Sequence, residues 1–481
     1  MKAFTMKHPT RISLLITVMF ISGCTIWPDF QRPVVTTPAN YKEATPLSGW
    51  KVAEPGGKIT NTSWWKIYQD AQLDALQLQA TNANQNIAAA EANYRQAEAL
   101  SKSARAALTP SVSANAAATR SQRSANTSTN GQSSSPAPVN NYSLGLAASW
   151  EVDLWGRIKH GIESGDARLA ASAADLAAAN LSVQANLAQN YFQLRVYDTQ
   201  QKLLNDTAIA YERSLKLTSN RYAVGLASRT DVAQSETQLR AIRAQAIDNS
   251  VQRAQLEHAI AVLTGQPPAQ LSIAAIPFTE ATTVLPTIPV SLPSELLERR
   301  PDIAAAERHA AAANAEIGVT KAALFPTLNL GTSLGFQSSR IADLLNLPSH
   351  VWSLGPALAA SIFDGGLRRA QTNAAIATYD VTVANYKQTV LTGFQEVEDN
   401  LSSLRLLEQE AAEQEAAVRF ARESVQQTEN RYKAGTVDYL SVVTVQTTAL
   451  ANERAALSIL GRRLAANVGL IKALGGGVNK D

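Results

Sequence analysis

Residue types that could perform chemistry are sparse in this chain of 481 residues. The histidines are scattered singly, without an HExxH pattern or a cysteine beside them, so metal binding is not expected. No GxSxG elbow, P-loop or dinucleotide-binding glycine pattern occurs. Glu396, Glu398 and Asp399 are neighbours on an expected helix, where a solvated acidic face is more common than a catalytic pair. The sequence therefore predicts no enzyme. The five histidines are His8, His160, His258, His309 and His350.

The single cysteine, Cys24, is placed for a covalent modification. Basic residues and an apolar run over 12–21 precede it, and that run is roughly half the length that spans a bilayer. We therefore expect a signal peptide over 1–23 rather than a buried helix. The ISGC stretch resembles the bacterial lipobox, which implies cleavage before Cys24 and a covalent lipid on it that anchors the chain to a membrane. Thr25 matches the sorting pattern for the outer membrane, and no other cofactor is expected.

The charge balance excludes one class of partner. The chain carries 43 basic and 40 acidic residues, and three of the basic residues belong to the expected leader. The mature chain is therefore neutral, so nothing in its overall charge favours nucleic acid. No later apolar stretch approaches eighteen residues, so no membrane-spanning helix is expected.

One hexapeptide is written twice, as NRYAVG at 220–225 and as NRYKAG at 430–435, which lies 210 positions later. Each glycine is placed where a helix C-terminus needs a positive φ. Ser228 and Asp438 then suit the N-cap of the next helix. Each half of the chain is therefore expected to hold a helix, a strand hairpin, a very long helix, a tight turn and a return helix, as a tandem duplication.

The boundaries of this duplication follow from composition. We expect an extended arm over 24–62, repeats over 63–265 and 294–474, a Pro-rich connector over 266–293 and a flexible tail over 475–481. The long helices are expected at 157–222 and 366–432, and the return helices at 229–264 and 439–474. Each long helix would measure about 100 Å. Their seven-residue apolar spacing is typical of coiled-coil packing.

Four segments alternate apolar with small polar residues, which is typical of strands. They are 111–120, 142–150, 327–337 and 352–362. Their length suits a tilted membrane-spanning strand, although a soluble sheet with one wet face would share the pattern. Aromatic residues near the strand ends indicate an interfacial belt, and these are Tyr142, Trp150, Phe336, Trp352 and Phe363. Four strands cannot close a barrel, so copies of the chain are expected to share one.

These features together resemble the TolC-like outer-membrane factors, in particular the lipidated NodT-like subgroup that serves resistance-nodulation-division pumps. The resemblance covers essentially the whole mature chain. It rests on the lipobox, both NRYxxG turns, the paired stretches WEVDLWGR at 150–157 and SIFDGGLR at 361–368, and KALGGG at 472–477.

The resemblance implies a mainly α-helical chain with a transmembrane β-barrel portion, closed as a twelve-stranded barrel in a homotrimer, and a helical conduit in the periplasm. It implies the exit duct of a tripartite efflux system. Such a duct passively conducts drugs or other small toxic solutes. Its partners would be a periplasmic adaptor, an inner-membrane pump of the resistance-nodulation-division type and outer-membrane lipid.

The resemblance also assigns roles to the two turns. Leu440 matches a leucine of the periplasmic aperture, while Thr444 and Thr447 stand where relatives carry an acidic and a basic residue. Arg229 and Asp231 could supply charge instead, although a helix N-terminus explains Asp231 more simply. The expected adaptor contacts, which a helix cap alone would also explain, are Arg221, Tyr222, Gly225, Arg431, Tyr432 and Gly435.

One alternative is a lipid-anchored periplasmic adaptor or scaffold with coiled-coil hairpins and no pore. An adaptor of that kind would carry strand-rich modules beside one helical hairpin, whereas this sequence predicts two helical hairpins. A lipoprotein enzyme is a third class, but it lacks any supporting constellation of residues.

Overall fold

The computed structural model describes residues 29–43, 63–122, 124, 137–278, 285–286, 288 and 293–476. The expected signal peptide, Cys24 and much of the expected arm lie outside these ranges. The chain divides into two compact units. The first comprises Met1–Pro33, Arg95–Ala171 and Glu307–Asn385, and the second comprises Val34–Tyr94, Ser172–Ala306 and Tyr386–Asp481.

Helices dominate the described residues. In chain order the helices and strands are α1 (Ala71–Ala83), α2 (Gln85–Ala106), β1 (Ser111–Ser121), β2 (Val139–Val152), α3 (Arg157–Ala223), α4 (Arg229–Leu263), α5 (Pro293–Arg299), α6 (Pro301–Ala322), β3 (Thr327–Ser338), β4 (His350–Ala359), α7 (Leu367–Lys433) and α8 (Tyr439–Ala473). Among the described helices, none is both long and apolar enough to cross a bilayer.

The duplication is visible in helix length. α3 and α7 each contain 67 residues, and α4 and α8 each contain 35. These four helices begin and end within one residue of the positions expected from the sequence. Alanine, which favours helix, and the absence of proline inside these segments explain their unbroken length.

The first unit contains one antiparallel sheet in the order β1-β2-β3-β4. The last strand differs from the expected 352–362, because it starts at His350 and ends at Ala359. Ala359 pairs with Thr327 at the start of β3. The residue before Thr327 is Pro326, which has no N–H to offer a partner strand, so the ladder stops there. Phe363 therefore lies outside the strand.

The second unit is built around an apolar core. Trp64, Leu73, Tyr191, Tyr386 and Ile471 are all buried in this one cluster. It gathers side chains from α1, from α3 and from the later helices α7 and α8. The helices of both repeats therefore share one core within this unit.

Buried ion pairs fix the connector between the repeats to the helices of the first repeat. The Asp198 carboxylate, which is buried, accepts from Arg195 Nη1 at 3.2 Å and from Arg253 Nε at 2.6 Å. It also accepts from the backbone N–H of Ile276 at 3.1 Å. Arg253 donates further to the carbonyl of Ile273 at 2.6 Å. Each buried charge thus has several partners, which offsets the cost of removing it from water.

The described part of the arm, residues 29–43, contains neither helix nor strand. It is held to α7 by the Glu398 carboxylate, which accepts from the backbone N–H of Lys42 at 2.7 Å and of Glu43 at 3.0 Å. Tyr41 is buried in the core of the second unit.

The expected flexible tail needs a correction at its start. Gly475 and Gly476 close α8, because their N–H groups donate to the carbonyls of Lys472 at 3.0 Å and Ile471 at 2.9 Å. A Cβ at Gly475 would lie 2.6 Å from the carbonyl oxygen of Arg299. The two glycines are therefore part of a packed helix end, and the rest of the expected tail, 477–481, lies outside the described residues.

Gly265 closes α4 in the same way, and its packing can be tested by substitution. Gly265 and Gly225 both have positive φ, but a Cβ at Gly265 would overlap the Ala83 carbonyl, whereas the space beside Gly225 is open. Gly225→Ala should cost only the left-handed strain of about 1–2 kcal/mol. Gly265→Ala should destabilise the chain more, as a lower midpoint of thermal helix loss by circular dichroism in detergent. Equal midpoints for the two variants would contradict this packing.

Candidate functional site

The sheet has one apolar face. On β2, Leu144, Leu146 and Trp150 lie opposite Phe336, Leu334 and Leu330 of β3. Trp352 of β4 extends the row that contains Leu334. Trp352 is 68% exposed and Leu354 is 75% exposed in the single chain. An apolar surface that covers several strands indicates an apolar environment.

The opposite face is polar and almost uncharged. Gly145 lies opposite Gly335, and the hydroxyls of Ser333 and Ser353 are 2.8 Å apart. The carboxylate of Glu151 accepts two hydrogen bonds, at 2.8 and 2.7 Å, from the guanidinium of Arg157. Small polar residues opposite apolar ones suit a sheet with lipid on one side and water on the other.

The predicted belt aromatics lie at two levels of the sheet. Tyr142, Phe336 and Trp352 lie at the end where the hairpin loops join, since Tyr142 pairs with Ser338. Trp150 lies at the other end, about 27 Å away along β2, and its indole N–H donates to the carbonyl of Leu108 at 3.1 Å. Phe363 is exposed in the segment that follows β4.

Sequence reasoning missed one aromatic pair. Trp155 stacks on Phe325 with ring centroids 4.9 Å apart, and its indole N–H donates to the carbonyl of Pro326 at 2.7 Å. This contact ties the segment after β2 to the segment before β3. The tryptophan inside WEVDLWGR was the signal available in the sequence.

The two NRYxxG turns have the same backbone. Gly225 and Gly435 have φ of +76° and +77°. In the first turn the N–H of Gly225 donates to the carbonyl of Tyr222, and the N–H of Leu226 donates to the carbonyl of Arg221. The second turn repeats both bonds at the equivalent residues. Each turn is therefore a Schellman cap that closes its long helix.

The return helices also begin with caps. Ser228 and Asp231 form a capping box at the start of α4, so the carboxylate of Asp231 is used locally. At the start of α8, Asp438 accepts from the Ser441 hydroxyl at 2.6 Å and from its N–H at 3.0 Å. These bonds, the hydroxyl first, lower the pKa of Asp438.

The side chains of the two turns have different partners. Arg221 donates to the carbonyl of Tyr432 at 2.8 Å, and its guanidinium lies 4.8 Å from the centroid of that ring. The Tyr432 ring is 6% exposed and packs edge-on against Tyr439 at 5.5 Å. Tyr222 is instead 45% exposed, and Arg431 is exposed. Of the six predicted adaptor contacts, Tyr432 is turned inward and Arg221 is half-buried against it.

The first turn also presents two apolar residues that the sequence prediction did not include. Val224 and Leu226 are exposed, and the second turn carries Ala434 and Thr436 at the matching positions. The signal was present in the sequence, as large apolar residues within an exposed turn.

The predicted aperture residues lie on the first turns of the return helices. Leu440 is exposed at the start of α8. The hydroxyls of Thr444 and Thr447, which are also exposed, donate to their own helix at the carbonyls of Leu440 and Val443. Arg229 is exposed at the start of α4. Since Asp231 caps its own helix, the geometry supports the simpler explanation of its charge.

Known proteins resemble this chain along nearly its whole length. The sequence profile of the family described as "Outer membrane efflux protein" matches residues 76–266 and 292–476. The chain is 33% identical over 474 residues to the pyoverdine export outer membrane protein OpmQ of Pseudomonas aeruginosa, covering 98% of this chain and 97% of that one. It is 30% identical to outer membrane protein OprJ of the same species, covering 97% and 95%.

A solved structure has the same fold. The outer-membrane channel OprN superposes with a TM-score of 0.84 at 30% identity, and the match covers 94% of this chain and 99% of that one. The profile, the relatives and the structure therefore agree along nearly the whole length. The chain belongs to the outer membrane efflux protein family and is an outer-membrane efflux channel.

Proposed function

We propose that three copies of this chain form one duct, through which a tripartite pump passes drugs or other small toxic solutes from the periplasm to the exterior. The observation that carries the proposal is the sheet, with an exposed apolar face on one side and small uncharged polar residues on the other. The similarity of the chain to OprJ, an outer membrane protein, and to OprN, an outer-membrane channel, also supports the proposal.

The edges of the sheet support a trimer. Within the described residues, β1 and β4 are the outer strands, and each pairs on one side only. An unpaired strand edge is not tolerated in lipid, because each unsatisfied backbone group costs several kcal/mol. Three sheets joined edge to edge would give twelve strands, which is within the range of closed membrane barrels.

Transport through this duct is passive in our proposal. The side chains on the polar face of the sheet are small and nearly all uncharged, which suits the conduction of solutes rather than catalysis. We propose that the chain has no enzymatic activity and that an inner-membrane pump supplies the energy. We also propose that Cys24 carries the lipid which anchors the mature N-terminus in the outer membrane, because it is the only cysteine and follows a lipobox-like stretch.

The turns are the proposed contact with a periplasmic adaptor. Tyr222, Val224 and Leu226 form an exposed apolar surface on the first turn. Arg431 is exposed on the second turn. Tyrosine and arginine are enriched among the residues that dominate the binding energy of protein interfaces, which favours Tyr222 and Arg431 as the strongest contacts.

The same turns form the proposed aperture. Arg221 of the first repeat holds Tyr432 of the second by a hydrogen bond and by a cation–π contact. Opening would untwist the paired helices and part these groups. Leu440, at the start of α8, is an apolar residue of the proposed aperture, which would then widen.

The trimer is tested by purifying the full chain in detergent. We expect a complex that resists SDS, that separates into monomers on heating, and that conducts ions in planar bilayers. A pore-free adaptor or scaffold would give no conductance. A monomer that stays soluble without detergent once its acyl group is removed would rule out the duct.

Replacing Leu440 by alanine should raise the single-channel conductance, because it removes apolar volume at the aperture. Leu406→Ala is a matched control, since Leu406 is an exposed leucine of α7 outside the turns. Conductance that does not change in Leu440→Ala would remove Leu440 from the aperture.

Arg221→Ala should loosen the second turn, because it removes a charged hydrogen bond worth about 1.5–3 kcal/mol. We expect amide hydrogen exchange in residues 428–440 to accelerate about ten- to a hundredfold. Arg431→Ala, the equivalent change in the other repeat, is the control and should leave exchange nearly unchanged. Equal acceleration of exchange in both variants would contradict the proposed role of Arg221 in holding Tyr432 and the second turn.

A further inference from the structure

The loop between β3 and β4, residues 339–349, turns large aliphatic side chains outward. Ile341 is 70% exposed, Leu345 is 69% exposed and Leu347 is 87% exposed. Two short 3-10 turns, Ile341–Asp343 and Leu347–Ser349, hold the first and last of them. Exposing three such side chains to water together is unfavourable.

Several polar groups of this loop pair with one another. Arg340 pairs with the carboxylate of Asp343 at 2.6 Å. The Asp343 carbonyl accepts from the N–H of Asn346 at 3.2 Å and from the Ser349 hydroxyl at 2.8 Å. The N–H of Arg340 donates to the hydroxyl of Ser338 at 3.2 Å. Pairing within the loop lowers the cost of bringing these groups near lipid, where water cannot satisfy them. The Arg340 side chain is 80% exposed and is long enough to reach toward water at a membrane surface.

The other hairpin of the sheet provides a comparison within the same chain. The residues between β1 and β2 read QRSANTSTNGQSSSPAP, over 122–138, and contain no Ile, Leu, Val, Met or aromatic residue. The strands that lead to both connections end at the same side of the sheet, since Ser121 pairs with Val139 and Tyr142 pairs with Ser338. The large aliphatic residues are therefore a feature of the β3–β4 loop in particular and are not shared by the other hairpin of the sheet.

The apolar face of the sheet continues into the β3–β4 loop. Leu334 and Phe336 precede the loop on β3, and Trp352 and Leu354 follow it on β4, all on the apolar face. The ring of Phe336 packs edge-on against His350, at 5.8 Å, where the loop returns to the sheet. The exposed aliphatic residues therefore extend a surface that already faces lipid in the proposed duct.

We infer that the β3–β4 loop lies against the outer leaflet of the membrane and inserts Ile341, Leu345 and Leu347 among lipid acyl chains. This inference rests on the proposed function, in which the sheet spans the outer membrane with its hairpin loops at the external side. The loop is then an additional membrane contact of each chain, beside the barrel wall and the lipid on Cys24. The alternatives are that the loop lies in water or that it packs against the same loop of a neighbouring copy.

The test uses nitroxide labels in the full chain, reconstituted in vesicles of phosphatidylethanolamine and phosphatidylglycerol. Leu345→Cys and Leu347→Cys each add one thiol to a chain whose only cysteine is Cys24, and the unsubstituted chain gives the background. Leu354→Cys, on the apolar face of β4, is the lipid reference. Gln337→Cys, whose amide reaches Asn141 at 3.0 Å on the polar face, is the water reference.

We expect the labels at 345 and 347 to collide with oxygen, which concentrates in the bilayer, more often than with a water-soluble nickel chelate. Their ratio of collision rates should match that of the label at 354 and exceed that at 337. A ratio equal to that at 337 would place the loop in water and overturn the inference. Low access to both reagents, with spin–spin broadening between copies, would also overturn it in favour of contacts between loops.

The reference at 354 separates this inference from the proposed function. If the label at 354 is lipid-accessible while those at 345 and 347 are not, only the loop inference fails. If the label at 354 is itself in water, the placement of the sheet in the membrane fails and the loop inference fails with it.

Discussion

A strand in lipid must pair every backbone N–H and C=O group, and this requirement governs the whole chain. Each chain supplies four strands with an outer edge at β1 and at β4, so the sheet cannot be complete alone. The alternation along each strand has a second cause, because successive side chains point to opposite faces and one face must suit lipid while the other must suit water. On the polar face the charge of Glu151 lies near one end of the sheet, where Arg157 neutralises it.

Outside the sheet, segments without regular structure are held by hydrogen bonds between their backbone groups and charged side chains of the helices. Asp198 and Arg253 fix the connector, and Glu398 fixes the end of the arm. The carboxylate of Asp198 is itself buried, so salt screens its contacts little, whereas the contact of Glu398 with Lys42 is exposed.

Much of this architecture follows from sequence pattern alone. The long helices, the hairpins and both turns could be predicted because proline, glycine and apolar periodicity act locally. The end of β4 could not, since it depends on the pairing of Ala359 with Thr327 beside a proline. The role of Gly475 also required the distant carbonyl of Arg299. The contact between Arg221 and Tyr432 could not be predicted either, because it joins residues of different repeats. The two motifs have the same sequence pattern but make different contacts.

That last difference has a consequence for recognition. Gene duplication gave the chain two turns with one backbone, but only the first keeps its tyrosine and its aliphatic residues outside. In the proposed adaptor contact, the first turn would offer the apolar side chains of Tyr222, Val224 and Leu226, and the second turn would offer the positive charge of Arg431. If identical partner subunits bind both turns, as in the proposed adaptor contact, they would use different residues for each turn.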